Sequence, residues 1–191
     1  MANEVYTFAR LTRADFPQMR DWLSQPHVRA WWGAPDAELA LLEQALDSDQ
    51  TDLRLVLLGG RAFAFVQDYA VPPGAEASAE GAPYLAAYPP GSRGMDTFLG
   101  APDLLGQGHA ARYLRQRAEA LLAEGAARLV IDPDPSNERA VRAYRRAGFR
   151  DRLLTSTPGG TAVLVMDYDP AAPVAPLLQN HPGPVPDRQN P

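Results

Sequence analysis

The stretch Gly94-Met95-Asp96-Thr97-Phe98-Leu99-Gly100, followed by Leu105-Gly106-Gln107-Gly108-His109-Ala110, constrains the chain more than any other. It reads as a strand bearing one carboxylate that runs through a short loop into a glycine-opened helix. Glycines at 106 and 108 let the backbone turn tightly and bring N–H groups close to an anion, and the positive end of the helix points at the same place. Such a loop suits a pyrophosphate. Ala110, Leu114, Ala118, Leu121 and Leu122 recur at helical spacing, and Gly125 supplies a stop. Ala127-Arg128-Leu129-Val130-Ile131-Asp132 then reads as a buried strand ended by Pro133-Asp134-Pro135, which completes a βαβ unit.

The remaining elements follow from periodicity and punctuation. Val5 to Leu11 reads as a strand, Ala14 to Leu23 as a helix ended by Pro26, and Pro35 to Leu46 as a second helix. Leu53 to Leu58 and Ala62 to Tyr69 form a hairpin across Gly59-Gly60. Val71 to Pro90, rich in Ala, Pro and Gly, reads as a loop of the kind that shapes a pocket. Ser136 is expected to cap a helix that carries Val141 and Tyr144 and closes at Gly148. Thr155 to Thr157 and Val163 to Tyr168 form a last hairpin. One domain is expected over residues 1–169, followed by a Pro-rich tail, 170–191, without periodicity and expected to be disordered.

Gly106-Gln107-Gly108 together with Pro135-Ser136-Asn137-Glu138-Arg139-Ala140-Val141-Arg142-Ala143-Tyr144-Arg145-Arg146-Ala147-Gly148-Phe149 resembles the acetyl-CoA core of the GNAT N-acetyltransferase superfamily. Gly94 to Leu99, Asp132 to Asn137, Thr155 to Val163 and the early Trp22-Leu23 through His27-Val28 to Trp31-Trp32-Gly33 narrow the likeness to bacterial aminoglycoside 6′-N-acetyltransferases. The likeness spans most of residues 5 to 169. It implies an α/β (α+β) GNAT fold, in which a central, mixed but mostly antiparallel sheet is flanked by helices and acetyl-CoA binds at a splayed strand pair. It also implies direct transfer of an acetyl group to a primary amine, with the 6′-amino group of an aminoglycoside as acceptor. Lysine-like or siderophore amines, other small amines, and a silent acetyl-CoA-binding role are the alternative readings. Two departures stand out. Leu105 replaces the polar residue usual at the head of the phosphate loop, and Ala110 replaces its last glycine. The 71–90 segment keeps only Glu76 and Glu80 as acids.

On this resemblance Asp96 accepts the amine proton; the bland reading pairs it with Arg93. Backbone groups near Phe98 and Leu99 bond the pantetheine arm, and Leu105, Gly106, Gln107, Gly108, His109 and Ala110 bind its phosphates. Tyr144 protonates the departing thiolate, or is a buried aromatic, and both readings can hold. Asn137 bonds the pantetheine, or opens its helix. Asp132 holds an acceptor ammonium, whereas Asp134 belongs to a solvated turn. Trp31 and Trp32 wall the acceptor, or seal a core.

The chain has no cysteine, which excludes disulfides and thiolate chemistry. His27 and His109 lack metal-ligand spacing, so no metal is expected. A net charge of −5 disfavours nucleic acid and suits a cationic small molecule. No apolar run approaches the roughly 20 residues that cross a bilayer, so a cytoplasmic protein without membrane contact, monomeric or homodimeric, is expected.

Overall fold

The computed structural model describes residues 6–72 and 82–171. Val5, the acids Glu76 and Glu80, and tail residues 172–191 lie outside the described residues. Seven strands form one sheet in the order β1-β2-β3-β4-β5-β7-β6. In chain order, β1 is Thr7–Arg10, β2 Thr51–Leu58, β3 Arg61–Ala70, β4 Arg93–Leu99, β5 Leu129–Ile131, β6 Phe149–Ser156 and β7 Ala162–Tyr168. Only β4 and β5 run parallel; the other neighbours are antiparallel, giving the mixed sheet expected. Helices α1 (Phe16–Leu23), α2 (Pro26–Arg29), α3 (Pro35–Ala45), α4 (His109–Ala123) and α5 (Glu138–Ala147) cover it.

Alternation along β4 assigns its side chains to two cores. Met95 packs with Tyr113 and Leu114 of α4 and with Tyr144 of α5, whereas Phe98 packs with Trp22, Leu39 and Phe65 on the α1–α3 side. Gly94 and Gly100 lie on Phe98's face because nothing larger fits. A Cβ on Gly94 would sit 2.3 Å from the Tyr69 ring, and one on Gly100 would sit 2.1 Å from that of Trp22.

Several boundaries differ from the sequence reading. The first helix opens with a 3-10 turn, Arg13–Asp15, because Asp15 accepts from the Thr12 N–H and hydroxyl. Pro26 starts α2 as well as ending α1, since a proline is tolerated where helical N–H groups have no partner. Asn137, not Ser136, caps α5, accepting from the Ala140 N–H at 3.2 Å. Ser136 instead donates to Asp134, which closes the turn before it. The last hairpin begins at Phe149, six residues earlier than expected, because the polar run Arg150-Asp151-Arg152 lies on an edge strand. The expected 71–90 loop contains a 3-10 turn, Pro83–Ala87.

Beneath β3 and β4 lies a buried charge network. Asp68 accepts from Arg93 Nε at 2.5 Å and from Arg117 Nε and Nη2 at 3.0 and 2.6 Å, and Arg117 also donates to Asp52 at 2.8 Å. Asp68 and Arg117 are almost fully enclosed. Removing one partner strands the others in low dielectric, at a cost of about 3–5 kcal/mol. Asp68→Ala is therefore expected to lower unfolding free energy by that amount in urea titrations. Glu43→Ala, which breaks the exposed Arg13–Glu43 pair, should cost less than about 1 kcal/mol. Equal effects would contradict this account of the network.

Candidate active site

β4 and β5 are paired only at Arg93 with Leu129 and Gly94 with Val130, after which the strands part. On its other side β4 stays in register with β3 to Leu99, and Gly100 N–H continues that ladder to Phe63 O at 2.9 Å. Main-chain polar groups alternate in an antiparallel ladder, so Asp96, Phe98 and Gly100 bond toward β3 while Thr97 and Leu99 present theirs toward the opening. The expected Phe98 donor is thus turned away, and Leu99 faces the gap. Its carbonyl accepts a hydrogen bond from His27 Nε2 at 2.9 Å.

The gap forms a cleft of about 740 Å³. One end is the 106–108 loop. Gly106 (φ +77°) and Gly108 (φ +83°) adopt the left-handed conformation, with open space where a Cβ would project. Gly108 opens α4 without a side-chain cap, so the positive end of the helix faces the cleft. Leu105 and Ala110 line the cleft beside them. The His109 imidazole is buried and turned inward, with Nδ1 2.9 Å from the Tyr6 hydroxyl, so only its backbone reaches an anion. The Gln107 side chain likewise stays in its loop, donating to Asp103 O at 2.8 Å. Arg139, Arg142 and Arg146 of α5 add positive charge along the same wall.

The cleft also carries a group of acids. Asp96, Asp132 and Glu38 all line the cleft. Gln67, opposite Asp96 in the β3–β4 register, donates to Asp96 Oδ2 at 2.8 Å. Arg93 points to the other face and pairs with Asp68, which removes the bland reading of Asp96. Burial raises the Asp96 pKa to about 7, the Asp132 charge adds to the rise, and Gln67 opposes it. Burial also raises Asp132, against a hydrogen bond from the Tyr84 hydroxyl at 2.6 Å. Tyr144 is buried at the cleft wall, and burial holds its phenol above its ordinary pKa and so protonated. Asn137 lines the cleft while its carbonyl oxygen is spent on the helix cap. Trp32 packs edge-on to Phe98 with ring centroids 5.0 Å apart, whereas Trp31 is 43% exposed at the rim. One tryptophan therefore seals the core and the other offers a free ring.

The structure thus gathers Asp96, Asp132, Tyr144, Asn137, both tryptophans and the glycine loop around one cleft. It adds Gln67, Glu38, Tyr84 and the α5 arginines, which the sequence alone does not single out. The 3- and 4-residue spacing of Arg139, Arg142 and Arg146 is the available signal for the arginines. Tyr84 carries none. Among the described residues no group of three or more His, Cys, Asp or Glu side chains is disposed to hold a metal, and no helix is long and apolar enough to cross a membrane.

A parted parallel strand pair, a glycine-opened helix start and a group of acids around one cleft fit an acyl-transfer site for a phosphate-bearing donor. Residues 12–155 match the family described as acetyltransferase (GNAT) domain, and the chain belongs to that family. It is 29% identical over 173 residues to aminoglycoside N(6′)-acetyltransferase type 1 of Klebsiella pneumoniae, covering 86% of this chain and 84% of that one. A kanamycin resistance protein of Rhizobium radiobacter is 37% identical over 78 residues, 40% of this chain and 72% of the other. The solved structure of aminoglycoside acetyltransferase AAC(6′)-Ib with coenzyme A and kanamycin superposes with a TM-score of 0.75 at 27% identity, over 88% of this chain and 96% of that one.

The raised Asp96 pKa makes a stability prediction. Below its ordinary value of 3.8 the group is protonated folded or unfolded, and it costs nothing. From there to about pH 7 only the unfolded chain releases the proton, so stability falls as pH rises, and the penalty is constant above. Asp96→Asn should therefore be more stable than wild type at pH 8, with the gain fading toward pH 4 in denaturant titrations. A gain independent of pH would contradict the assignment.

Proposed function

We propose that the chain is an acetyl-CoA-dependent N-acetyltransferase that transfers acetyl directly to the 6′-amino group of an aminoglycoside. The observation that carries this reading is that one cleft holds both kinds of charge. Glycine-loop N–H groups and the α5 arginines line it together with Asp96, Asp132 and Glu38, whose charges act on one another. The first set suits the phosphates of the donor and the second a polyamine acceptor. Relatives named for aminoglycoside N(6′)-acetylation and kanamycin resistance support the acceptor class.

Bound acetyl-CoA supplies the thioester. The Leu99 N–H, left without a strand partner, is suited to polarise the acetyl carbonyl. Asp96, with a pKa near 7, takes a proton from the acceptor ammonium while remaining basic enough at neutral pH to keep it. The freed amine nitrogen forms the new N–C bond, the C–S bond breaks, and Tyr144, held protonated by burial, gives its proton to the departing sulfur. The proton on Asp96 leaves to solvent through the open cleft, and the second proton, shed by the nitrogen as the amide forms, passes through solvent to the Tyr144 phenolate, so that one proton is released per turnover. Donor and acceptor meet in one cleft, so no covalent enzyme intermediate is needed.

Coenzyme A thiol release, measured with kanamycin, tobramycin, amikacin, lysine and spermidine, tests the acceptor. Saturable turnover confined to the aminoglycosides with a 6′-amino group is expected; turnover on lysine or on none would overturn the reading. In the same assay kcat/KM should rise as pH increases through about 7 and then level. Asp96→Asn should lower it by about 10²–10⁴-fold near neutrality, least at alkaline pH where the amine is already deprotonated. Tyr144→Phe should lower kcat with KM little changed. A wild-type rate in Asp96→Asn would remove the base assignment.

A further inference from the structure

The Pro83–Ala87 turn is pinned to the sheet at its far end. Leu85 and Tyr88 are buried against Val130 of β5 and against Val163 and Val165 of β7. The Tyr88 hydroxyl donates to Asp167, and the Arg152 guanidinium lies 4.6 Å from the centroid of the Tyr88 ring. At its near end the Tyr84 hydroxyl reaches Asp132 Oδ2 at 2.6 Å. Asp132 itself stands at the start of a double-proline turn, where its own backbone N–H assists the carboxylate and the Tyr84 hydroxyl is its side-chain partner from outside the turn.

The geometry points to Tyr84 as a positioning residue for the acceptor: its hydroxyl orients Asp132 to receive a second ammonium group of the amine whose reacting nitrogen faces Asp96. This deepens the reading of the acceptor as a polyamine and rests on it. Asp96 and Asp132 come from adjacent parted strands, so they suit two ammonium groups carried on one rigid scaffold. A flexible monoamine uses only Asp96. Tyr84 does not touch the reacting atoms and works through Asp132 alone.

Tyr84→Phe keeps the ring and the Leu85 and Tyr88 anchors and removes only the hydroxyl. Losing a hydrogen bond to a charged group is expected to raise KM for kanamycin about 10-fold with kcat within about twofold. Asp132→Asn should raise KM at least as much, and the double variant should be no worse than Asp132→Asn alone, because Tyr84 acts through that carboxylate. An unchanged KM in Tyr84→Phe, a fall confined to kcat, or effects that multiply in the double variant would overturn the inference.

A second measurement is independent of turnover. The groups facing Asp132 are Tyr84 of the turn, Asp96 of β4 and Tyr144 of α5, with Glu38 of α3 acting on Asp96 and Arg139 on the cleft wall. The Tyr84 hydrogen bond favours the Asp132 carboxylate, so its removal should move the ¹³C carboxyl titration of Asp132 to higher pH. A midpoint unmoved by Tyr84→Phe would overturn the role of Tyr84 whatever the acceptor. If wild type neither binds nor acetylates kanamycin, the acceptor reading fails, and this titration still decides Tyr84.

Discussion

The parting of β4 from β5 after Gly94 is the constraint on which the rest of the molecule depends. On the β3 side the ladder of β4 runs unbroken to Leu99. On the β5 side two residues of register are followed by a gap into which the Thr97 and Leu99 N–H groups point, while the Leu99 carbonyl is taken by His27. β5 is short, three residues followed by Asp132-Pro133, and its pairing with β4 stops at Val130, while on the β7 side Pro133 O still accepts from Leu164 N–H at 2.9 Å. The same proline turn delivers Asp132 to the mouth, and the helix that follows delivers Asn137, Tyr144 and the arginine face. A break in the hydrogen-bond ladder thus becomes a slot lined by both the glycine loop and the carboxylates.

Strand alternation keeps two kinds of charge apart. Arg93 faces α4 and joins the buried Asp68–Arg117 network, whereas Asp96, three residues on, faces α1–α3 and the cleft. A slip of one residue in β4 would exchange these faces, putting the base in the network and the arginine at the acceptor. Gly94 and Gly100 hold the register, because the Tyr69 and Trp22 rings occupy the space a side chain would need. The network lies where charge is sealed from water, with Asp68 paired to both Arg93 and Arg117. The underpaired Asp96 lies where burial lifts its proton affinity toward neutrality, a cost to stability that suits it to proton transfer.

Much of this is legible in local signals of the sequence. The phosphate loop follows from two glycines ahead of an apolar helical stripe, and the α5 helix from a strong polar–apolar period closed by Gly148. Asp96 stands out as the carboxylate in a strand that feeds this loop. What depends on pairing over long sequence separation is not legible in the same way. Gln67 reaches Asp96 only through the β3–β4 register, and Tyr84 reaches Asp132 across 48 positions. The start of β6 is hidden because an edge strand tolerates Arg150-Asp151-Arg152, which breaks the expected alternation. His109 looks like a phosphate ligand by position, yet Tyr6 draws its ring into the core.

Amide hydrogen exchange along β4, with and without acetyl-CoA, tests the parted-strand account most directly. The Phe98 N–H is already paired with β3, so its exchange should be slow and little altered by the ligand. Exchange at Leu99, and at Thr97 beside it, should be faster in the free protein and slow markedly when the donor's arm is bound. Slowing at Leu99 with Phe98 unmoved is the expected result. Saturating acetyl-CoA that leaves the Leu99 amide unprotected would contradict the claim that the gap between β4 and β5 is where the donor lies.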